Sequence, residues 1–454
     1  ANRGSISTGY DIDNSLKFER DNNEAVETTN QAAGNRKTWT FSAWIKRTAL
    51  SEDYHTIFGA GYTNIQIMSN NRPRLVLYDG TSYYADPEML LRDTSAWYHI
   101  VVQLDTTQST ASDRVKWWIN GDRVTVFNNS SYTTMSQNDE FEIGQAGAAG
   151  SGAWLRLGRF FSGDEGFDGY MADVYYLNGT AEDADAFGEY DEDSGIWIPK
   201  AYTGSGYGAQ GFHYKFDNAS NLGEDSSGEG HDANSFSNIT SADQATDTPT
   251  NNFCTLNPLW TWTYTMGVSD GATKVNNTVT AWGGAKGSIG VNSGKWYWEH
   301  GSFSGNDTMF GIQNQAGGGN TQAYLDPYTL AIQANANVIQ FTDPSNRTEA
   351  FSKTFSISDI WGVALDLDNN TIAFYRNGTI VNSAFSIDGL IGNGEFFPFV
   401  AHYGSGLNSR VNFGGYTGIT ISSPATDESG YGTFEFAPPT GYYALCTKNL
   451  AEYG

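Results

Sequence analysis

Short runs of alternating hydrophobic and polar residues dominate the chain, and they predict β-strands. In WYHIVVQLD (Trp97–Asp105), Tyr98, Ile100, Val102 and Leu104 fall on one side, because successive side chains of a strand point to opposite faces. WGVALDLD, far downstream, alternates in the same way. Helical periodicity is limited to short segments such as AEDADAFGEY. The pattern predicts short strands joined by tight turns.

The Asn-Gly pair in KWWINGDRV, residues 116–124, predicts a β-hairpin. A two-residue type I′ loop requires positive φ at both central positions, which Asn and Gly tolerate best. Pairing outward from this loop places Trp117 opposite Val124 on a largely apolar face, whereas Trp118 points to the other face. We therefore expect Trp117 in a core and Trp118 free to meet a partner.

A second segment repeats this order in the other half of the chain. AFYRNGTIV, residues 373–381, again has aromatic residues before Asn-Gly and aliphatic residues after it, so that Phe374 aligns with Trp117 and Tyr375 with Trp118. A Trp-led alternating strand with a Leu-Asp ending precedes both hairpins. A lone Asn-Gly pair is weak evidence, but the whole succession predicts two β-domains of related architecture.

Composition divides the chain further. Residues 181–254 are acidic and rich in Gly, Ser and Asn, which is typical of a linker, but aromatic residues such as Trp197 indicate that this segment packs onto the domains. The predicted organisation is an N-terminal arm (1–14), a first β-domain (15–180), the connecting segment (181–254), a second β-domain (255–425) and a C-terminal docking segment (426–454).

Charge and composition exclude several functional classes. Lys and Arg total 25 against 51 Asp and Glu, a formal net charge of −26 at pH 7, so we expect no nucleic-acid partner and no anionic membrane surface. No apolar run approaches the ~20 residues of a membrane span, and ANRGSISTGY does not resemble a signal peptide. Cys254 and Cys446 cannot form a disulfide framework, so we expect two free, buried thiols. These features predict a soluble protein made in a cytoplasm.

Motifs in both halves resemble known domain families. The first half contains, in order, SLKFERDNN, WTFSAWIKR, HTIFGAG, RLVLYDG, WYHIVVQLD, KWWINGDRV and FDGYMADVYYLNG. This succession resembles a laminin-G-like, concanavalin-A-type jelly roll. The second half contains SGKWYWEHGSF, MFGI, WGVALDLDNNTIAFYRNG, FFPFVAHYG and SRVNFG, which together resemble a SPRY domain. Both resemblances imply an all-β chain of two antiparallel β-sandwich domains.

The remaining segments resemble proteins of virus particles. DVYYLNGTAEDADAFGEYDEDSGIWIPKAYTGSGYGAQGFHYKF, CTLNPL and PPTGYYALCTKNL are similar to segments of tail-fibre and other virion proteins of marine phages. The resemblance implies a virion surface protein, made in the host cytoplasm, that attaches the particle to a host surface glycan or receptor. It further implies a homotrimer in contact with other virion proteins. No fibre shaft is visible, so its place on tail, fibre or capsid stays open.

Two alternative functions remain open. One is a capsid decoration or tail-assembly structural protein that binds no receptor. The other is a polysaccharide depolymerase, in which Glu140 and Glu142 would share one face of a strand as nucleophile and acid. With 51 acidic residues such spacing arises easily by chance, and no Gly-x-Ser-x-Gly elbow or phosphate loop occurs. We therefore predict no catalytic residues and no enzyme activity.

Candidate binding residues combine exposed aromatic rings with polar neighbours, as in the carbohydrate sites of β-sandwiches. The predicted ligand-binding residues are Tyr83 and Tyr84 in DGTSYYADPE, His402 and Tyr403 in AHYGSG, and Trp118. Packing against neighbouring strands or a partner subunit is the alternative for each of them.

Calcium is the one metal that the sequence suggests. Asp164, Glu165 and Asp168 in GDEGFDG provide the hard oxygen ligands that Ca²⁺ prefers, and laminin-G-like domains often bind it. The alternative is an ordinary acidic loop. We expect no other cofactor.

Overall fold

The computed structural model describes residues 9–29, 31–50, 53–147, 154–163, 165–260, 262, 264, 266–318, 326–334, 338–341, 348–350, 355–381, 383–390 and 394–454. The chain divides into two compact units, a first unit of Ser7–Thr250 and a second unit that includes Asn251–Gly454. Strands dominate both, and the described residues contain one α-helix, α1 (Thr447–Tyr453). No helix in this part of the chain is long and apolar enough to cross a membrane.

The first unit consists of two antiparallel sheets, each with eight strands among the described residues. The first sheet has, in spatial order, β10 (Asp122–Arg123), β9 (Val115–Ile119), β8 (Trp97–Asp105), β3 (Thr38–Arg47), β13 (Gly169–Asn178), β1 (Ser15–Phe18) and β18 (Gln244–Ala245), with β16 (Phe212–Tyr214) paired to β13. The second sheet has β11 (Phe127–Asn129), β7 (Ser82–Pro87), β6 (Pro73–Tyr78), β5 (Thr63–Ile67), β4 (His55–Ala60), β12 (Leu155–Leu157), β2 (Ala25–Thr28) and β17 (Ser235–Ser237).

One hydrophobic core lies between these two sheets, so the first unit is a β-sandwich. The rings of Phe41 on β3 and Phe58 on β4 stack across it, with centroids 4.6 Å apart and planes 8° from parallel. Ile100, Val102 and Leu104 of β8 are fully buried in the same core. The alternation along WYHIVVQLD therefore marked the face of this strand that points into the core between the sheets, although Val101 and His99 on the other face are also buried.

Residues 181–250 lie in the first unit. Their strands β16, β17 and β18 pair with β13, β2 and β1. They also form a separate hairpin of β14 (Gly188–Tyr190) and β15 (Trp197–Pro199). The hydroxyl of Tyr190 donates to Asp122 Oδ1 at 2.9 Å, which ties this hairpin to strand β10 of the first sheet. Aromatic and strand-forming residues thus integrate this acidic segment into the sandwich.

The second unit is also a sandwich of two sheets. Among the described residues, its larger sheet has nine strands in the order β19 (Gly267–Ser269), β20 (Lys274–Asn276), β32 (Asn408–Asn412), β22 (Lys295–Gly301), β27 (Trp361–Asp366), β28 (Thr371–Arg376) and β29 (Thr379–Ile380), with β30 (Phe385–Ser386) beside β28 and β33 (Tyr443–Ala444) parallel to β22. The smaller sheet has β21 (Trp282–Lys286), β31 (Phe396–Tyr403), β23 (Thr308–Asn314), β24 (Thr329–Gln333), β25 (Val338–Phe341) and β26 (Thr348–Ala350). The two cysteines, Cys254 and Cys446, are free and buried, as predicted.

Both Asn-Gly pairs form the predicted hairpins. The backbone φ angles are 49° at Asn120 and 80° at Gly121, and 48° at Asn377 and 75° at Gly378. Positive φ at both central positions is what a type I′ loop requires. The two hairpins occupy corresponding places, since each follows the strand that pairs with its first arm.

The aromatic residues before each loop divide between two faces. Trp117 and Phe374, which the sequence aligns, are both buried in the core of their own sandwich. Trp118 lies on the opposite face, yet only 7% of it is exposed, and the guanidinium carbon of Arg123 lies 4.9 Å from its ring centroid. Trp118 thus has little surface left for a partner, contrary to our expectation from the sequence. Alternation predicts the face of a side chain but not what covers that face.

Candidate functional site

A polar cleft of about 460 Å³ opens on the first unit where three connecting segments meet. The segments are the turn after β1, the residues just before β4 and the loop between β12 and β13. The residues that line the cleft are Arg20, Asp21, Asn23, Asp53, Tyr54, Gly163, Glu165 and Gly166. A cleft of this volume is within the range of small-ligand sites.

The turn after β1 presents exposed polar side chains, of which Asp21 and Asn23 line the cleft. The chain leaves buried Phe18, forms a single 3₁₀ turn over Arg20–Asn22, and ends it at Asn23 with φ of 54°. The Asn23 N–H donates to the Arg20 carbonyl at 2.9 Å, which closes the turn. Asn adopts this left-handed conformation more readily than most residues. Asp21 and Asn23 are therefore held at the mouth of the cleft by backbone geometry.

Arg20 links the three segments. Its backbone N–H donates to Asp168 Oδ1 at 2.8 Å, and its guanidinium forms an ion pair with Asp53. Glu165 has φ of 58°, an uncommon conformation for a residue other than Gly, and its carbonyl accepts from the Thr56 N–H at 2.9 Å. Such backbone strain costs on the order of 1–3 kcal/mol and is frequent at functional sites.

The carboxyl groups beside the cleft titrate unusually. Burial, followed by the nearby charge of Asp168, raises the pKa of Glu19 to about 7. Burial also raises the pKa of Asp168, although the hydrogen bond from the Arg20 N–H opposes the shift. Glu19 therefore exchanges a proton near neutral pH, next to the turn that carries Asp21 and Asn23. The residues that line the cleft thus supply carboxylates, an amide, a guanidinium and the ring of Tyr54.

The predicted calcium ligands only partly converge on this cleft. Glu165 lines it, Asp168 bonds to the Arg20 backbone, and Asp164 lies outside the described residues. Within the ranges that the structure describes, no group of three or more His, Cys, Asp or Glu side chains is arranged to hold a metal ion. Of the predicted ligands that the structure describes, Glu165 and Asp168 therefore do not belong to such a group.

The predicted aromatic pair of the first unit lies on β7. Tyr83 is half-buried and packs against the core, with its ring 6.1 Å from that of Phe141. Tyr84 lies under the guanidinium of Arg74, 4.7 Å from its ring centroid, and Arg74 forms two hydrogen bonds with Asp86 at 2.8 and 2.7 Å. Both rings have structural contacts, and neither lines the polar cleft.

His402 and Tyr403, the predicted ligand-binding pair of the second unit, differ in their exposure. His402 is buried, and its Nε2 lies 2.9 Å from the hydroxyl of Ser409. Burial lowers the pKa of His402 to about 3, so the ring is neutral at physiological pH. Tyr403 is 43% exposed and lies beside Trp282, with ring centroids 5.7 Å apart. Only Tyr403 of this pair offers a surface to a ligand.

The two carboxylates considered for catalysis have separate partners. Glu140 forms ion pairs with Arg36 at 3.1 Å and Lys37 at 3.5 Å. Glu142 instead accepts hydrogen bonds from the backbone N–H groups of Tyr62 and Thr63. Each carboxylate thus holds a different part of the backbone or surface in place.

Sequence reasoning missed most of the cleft. Arg20, Asp21 and Asn23 belong to FERDNN, which the sequence indicates only as part of a family motif. Asp53 and Tyr54 follow a Ser-Glu pair before β4. The available signal was the clustering of polar residues directly after and before buried strands. The spacing of residues along the sequence does not predict that these segments meet, because their proximity depends on the order of the strands in the sheets.

Family comparisons agree with this architecture. Residues 20–186 match the concanavalin A-like lectin/glucanases superfamily, and residues 295–416 match the SPRY domain. The chain carries a concanavalin A-like domain and a SPRY domain. The two predicted sandwich families are thereby confirmed, and every residue that lines the polar cleft falls within the matched part of the concanavalin A-like domain. No curated protein matches the chain.

Solved structures resemble parts of the chain. The SPRY domain of human HERC1 is 19% identical, with a TM-score of 0.30, and the match covers 34% of this chain and 96% of that one. The TRIM65 PSpry domain is 14% identical, with a TM-score of 0.29 and coverages of 35% and 92%. A putative carbohydrate binding protein from Bacteroides ovatus ATCC 8483 is 17% identical, with a TM-score of 0.33 and coverages of 46% and 53%. These similarities carry no argument about function.

Proposed function

We propose that the concanavalin A-like domain binds a glycan in the polar cleft, and that the protein attaches a phage particle to its host without cleaving that glycan. The observation that carries the proposal is the composition of the cleft, which combines the Tyr54 ring with carboxylate, amide and guanidinium groups. Sugar hydroxyls both donate and accept hydrogen bonds, so they suit such a mixed lining, and an aromatic ring suits the apolar face of a sugar.

The membership of residues 20–186 in a lectin/glucanase superfamily supports the same ligand class. Lectin-like binding is weak at a single site and becomes strong when several copies engage one surface. A homotrimer displayed in several copies on a particle would meet this requirement. We therefore include a trimer and other virion proteins among the proposed partners.

The virion assignment rests on the resemblance of the connecting and closing segments to phage tail-fibre proteins. A formal net charge of −26 suits a soluble surface protein that avoids nucleic acid during assembly. Attachment without cleavage is favoured over depolymerase activity because Glu140 and Glu142 have separate structural partners. Decoration of the capsid or tail without receptor binding is the competing function.

Binding of the purified chain to host envelope polysaccharide tests this proposal. We expect the unmodified protein to bind, and we expect Asp21→Asn and Tyr54→Ala to weaken binding at least tenfold. Asp193→Asn, an exposed carboxylate change outside the cleft, should bind normally.

Binding only to capsid or tail proteins would instead indicate decoration. Release of reducing ends that disappears in Glu140→Gln or Glu142→Gln would indicate a depolymerase. Failure of the unmodified protein to bind host polysaccharide would overturn the proposal.

A further inference from the structure

Four aromatic rings cluster on the concanavalin A-like domain, close to the polar cleft. Tyr62 is 50% exposed, and its ring centroid lies 4.9 Å from Tyr78, 6.2 Å from Phe160 and 4.8 Å from Phe161. The rings of Phe160 and Phe161 lie 4.7 Å apart. We call these four residues the aromatic rim. Tyr78, Phe160 and Phe161 are also partly exposed, so the four rings form a contiguous aromatic patch, which makes the rim a candidate binding surface.

Tyr62 is fixed at the tip of a tight hairpin. Ala60 and Thr63 pair across a two-residue loop, and Gly61 has φ of 55°, which suits the first loop position of a type II′ turn. The carboxylate of Glu142 accepts from the N–H groups of Tyr62 and Thr63 and so fixes the loop from outside. The ring is therefore preorganised, and binding would require little ordering of this segment.

A narrow closed pocket, with no room for a water molecule in this structure, lies beneath the rim. Its lining includes Thr56, Asn64, Arg159, Phe160 and Phe161. Thr56 and Asn64 are only 1% and 3% exposed. Within the described part of the chain, Thr56 Oγ1, Asn64 Oδ1 and Arg159 Nε have no hydrogen-bond partner. Unpaired buried polar atoms are costly, so a ligand group that pairs with these three atoms would gain affinity.

The rim and the polar cleft are neighbours because one turn carries parts of both. The Gly163 N–H donates to the Phe160 carbonyl at 3.1 Å. A β-turn of this kind holds its first and fourth Cα atoms within about 7 Å of each other. Phe160 belongs to the rim, whereas Gly163 lines the cleft. The rim and the cleft are therefore close enough for consecutive sugars of one saccharide chain to contact both.

We propose that the aromatic rim is a second sugar subsite, so that the ligand is an oligosaccharide extending from the polar cleft across Tyr62. This inference rests on the proposed glycan-binding function and adds the length of its ligand. One sugar ring stacks on Tyr62, and one of its hydroxyls enters the pocket, where it donates to Asn64 Oδ1 and accepts from Arg159 Nε and from the Thr56 hydroxyl. Because the pocket has no room for a hydroxyl in this structure, the proposed contact requires the ring of Phe160 or Phe161, which line it, to move on binding.

The unpaired polar atoms of the pocket favour a sugar as its ligand over an apolar side chain of another protein. A hydroxyl group satisfies a donor and an acceptor at once, as Arg159 Nε and Asn64 Oδ1 require. An aliphatic or aromatic anchor from another protein would leave these atoms unpaired and would bind less well.

Titration with oligosaccharides of increasing length tests the subsite. The probes are fractions of host envelope polysaccharide after partial acid hydrolysis, from monosaccharides to hexasaccharides, added to the full chain. We expect the affinity of the unmodified protein to rise with length. Tyr62→Ala should lose about tenfold in affinity, or about 1.4 kcal/mol, for the longer fractions and nothing for the shortest, because a good aromatic contact contributes an energy of this order. Tyr62→Phe should retain the full affinity.

Tyr264→Ala is the matched control, because Tyr264 is similarly exposed, at 42%, but lies in the second unit. Thr56→Val, which removes one pocket hydroxyl while keeping the shape, should also weaken only the longer fractions. If the unmodified protein binds glycan but Tyr62→Ala and Thr56→Val bind all lengths normally, the subsite is overturned and the proposed function stands. If the unmodified protein binds no fraction, both fail. If Tyr62→Ala changes the oligomeric state but not the glycan affinity, the subsite is overturned, and the aromatic rim is instead a contact surface for another subunit.

Discussion

The indole ring of Trp197 lies directly against Gly121, so that a Cβ atom at this position would overlap with it. Gly121 is the second loop residue of the hairpin in KWWINGDRV, and Trp197 comes from the acidic segment after the strands of the family motif. The SPRY domain repeats the arrangement, since a Cβ at Gly378 would lie 2.7 Å from Cδ1 of Phe436. In both domains an aromatic residue from a later segment covers the Asn-Gly loop.

Gly121→Ala should destabilise the concanavalin A-like domain by about 2 kcal/mol or more. The residue has φ of 80°, which is unfavourable for Ala, and the added methyl group would overlap with the ring of Trp197. Backbone strain and overpacking therefore both contribute to the loss of stability. Urea unfolding of the full chain measures the loss. Gly228→Ala is the matched control, because Gly228 has φ of 87° and no atom within 4 Å of its added Cβ. Equal losses in the two variants would contradict the packing role of Trp197.

Acidification should destabilise both domains below about pH 6.5. Burial lowers the pKa of His99 and His402 to about 3, and it lowers the pKa of His55 and His300 equally far. The unfolded chain binds protons at these histidines from about pH 6.5 downward, whereas the folded chain does not until about pH 3. Their stabilising contribution is therefore complete above pH 6.5 and is lost as the pH falls through this window.

The expected slope is about 1.4 kcal/mol of unfolding free energy per pH unit for each histidine. Two of the four lie in each domain. Urea midpoints measured between pH 7 and pH 4 give the slope, and His402→Gln should flatten it for the SPRY domain only. A histidine NMR titration showing these four groups with ordinary pKa values would contradict the prediction.

Glu19→Gln should stabilise the concanavalin A-like domain at pH 8 and change little at pH 5. Burial raises the pKa of Glu19 to about 7, so the folded protein binds its proton more tightly than the unfolded chain does. The unfavourable contribution grows as the pH rises through the window from about 4.5 to about 7 and is complete above it. Removing the charge should recover ~1–3 kcal/mol at pH 8. A gain of the same size at both pH values would show that the charge of Glu19 is not responsible.

Glu299→Gln should loosen the C-terminal segment of the second unit. The buried Glu299 carboxylate accepts from the N–H groups of Glu435 and Phe436 at 3.0 and 2.9 Å, and from Asn412 Nδ2 at 3.0 Å. The amide of Gln keeps only one acceptor oxygen, so its NH2 group faces the donors on the other side, and we expect a loss of about 3 kcal/mol. Hydrogen exchange at Glu435 and Phe436 should accelerate, whereas Glu428→Gln, an exposed change in the same segment, should have no effect. Unchanged exchange at these two amides in Glu299→Gln would contradict this role.

The local sequence predicted the strands, the two hairpins and the residues that face the cores. The period-two pattern marked Ile100, Val102 and Leu104 as buried, and two Asn-Gly pairs marked the loops where φ is positive. The alignment of Trp117 with Phe374 also held, because both are the inward residue of a strand that ends in the same type of turn. These features depend on neighbours along one strand, so a single sequence contains them.

The candidate site did not follow from local sequence. Trp118 and Tyr62 are both aromatic residues beside a tight turn, yet Trp118 is 7% exposed and Tyr62 is 50% exposed. The difference arises because Arg123 covers the ring of Trp118, whereas Tyr62 stands on a hairpin tip supported by rings from β6 and the β12–β13 loop. Likewise, Arg20, Tyr54 and Glu165 meet only because strand order brings three loops together. The sequence by itself determined which residues form the strands and face the cores, since that depends on alternation. Only the tertiary structure decided which outward residues stay exposed and which loops share a cleft, since that depends on contacts between distant segments.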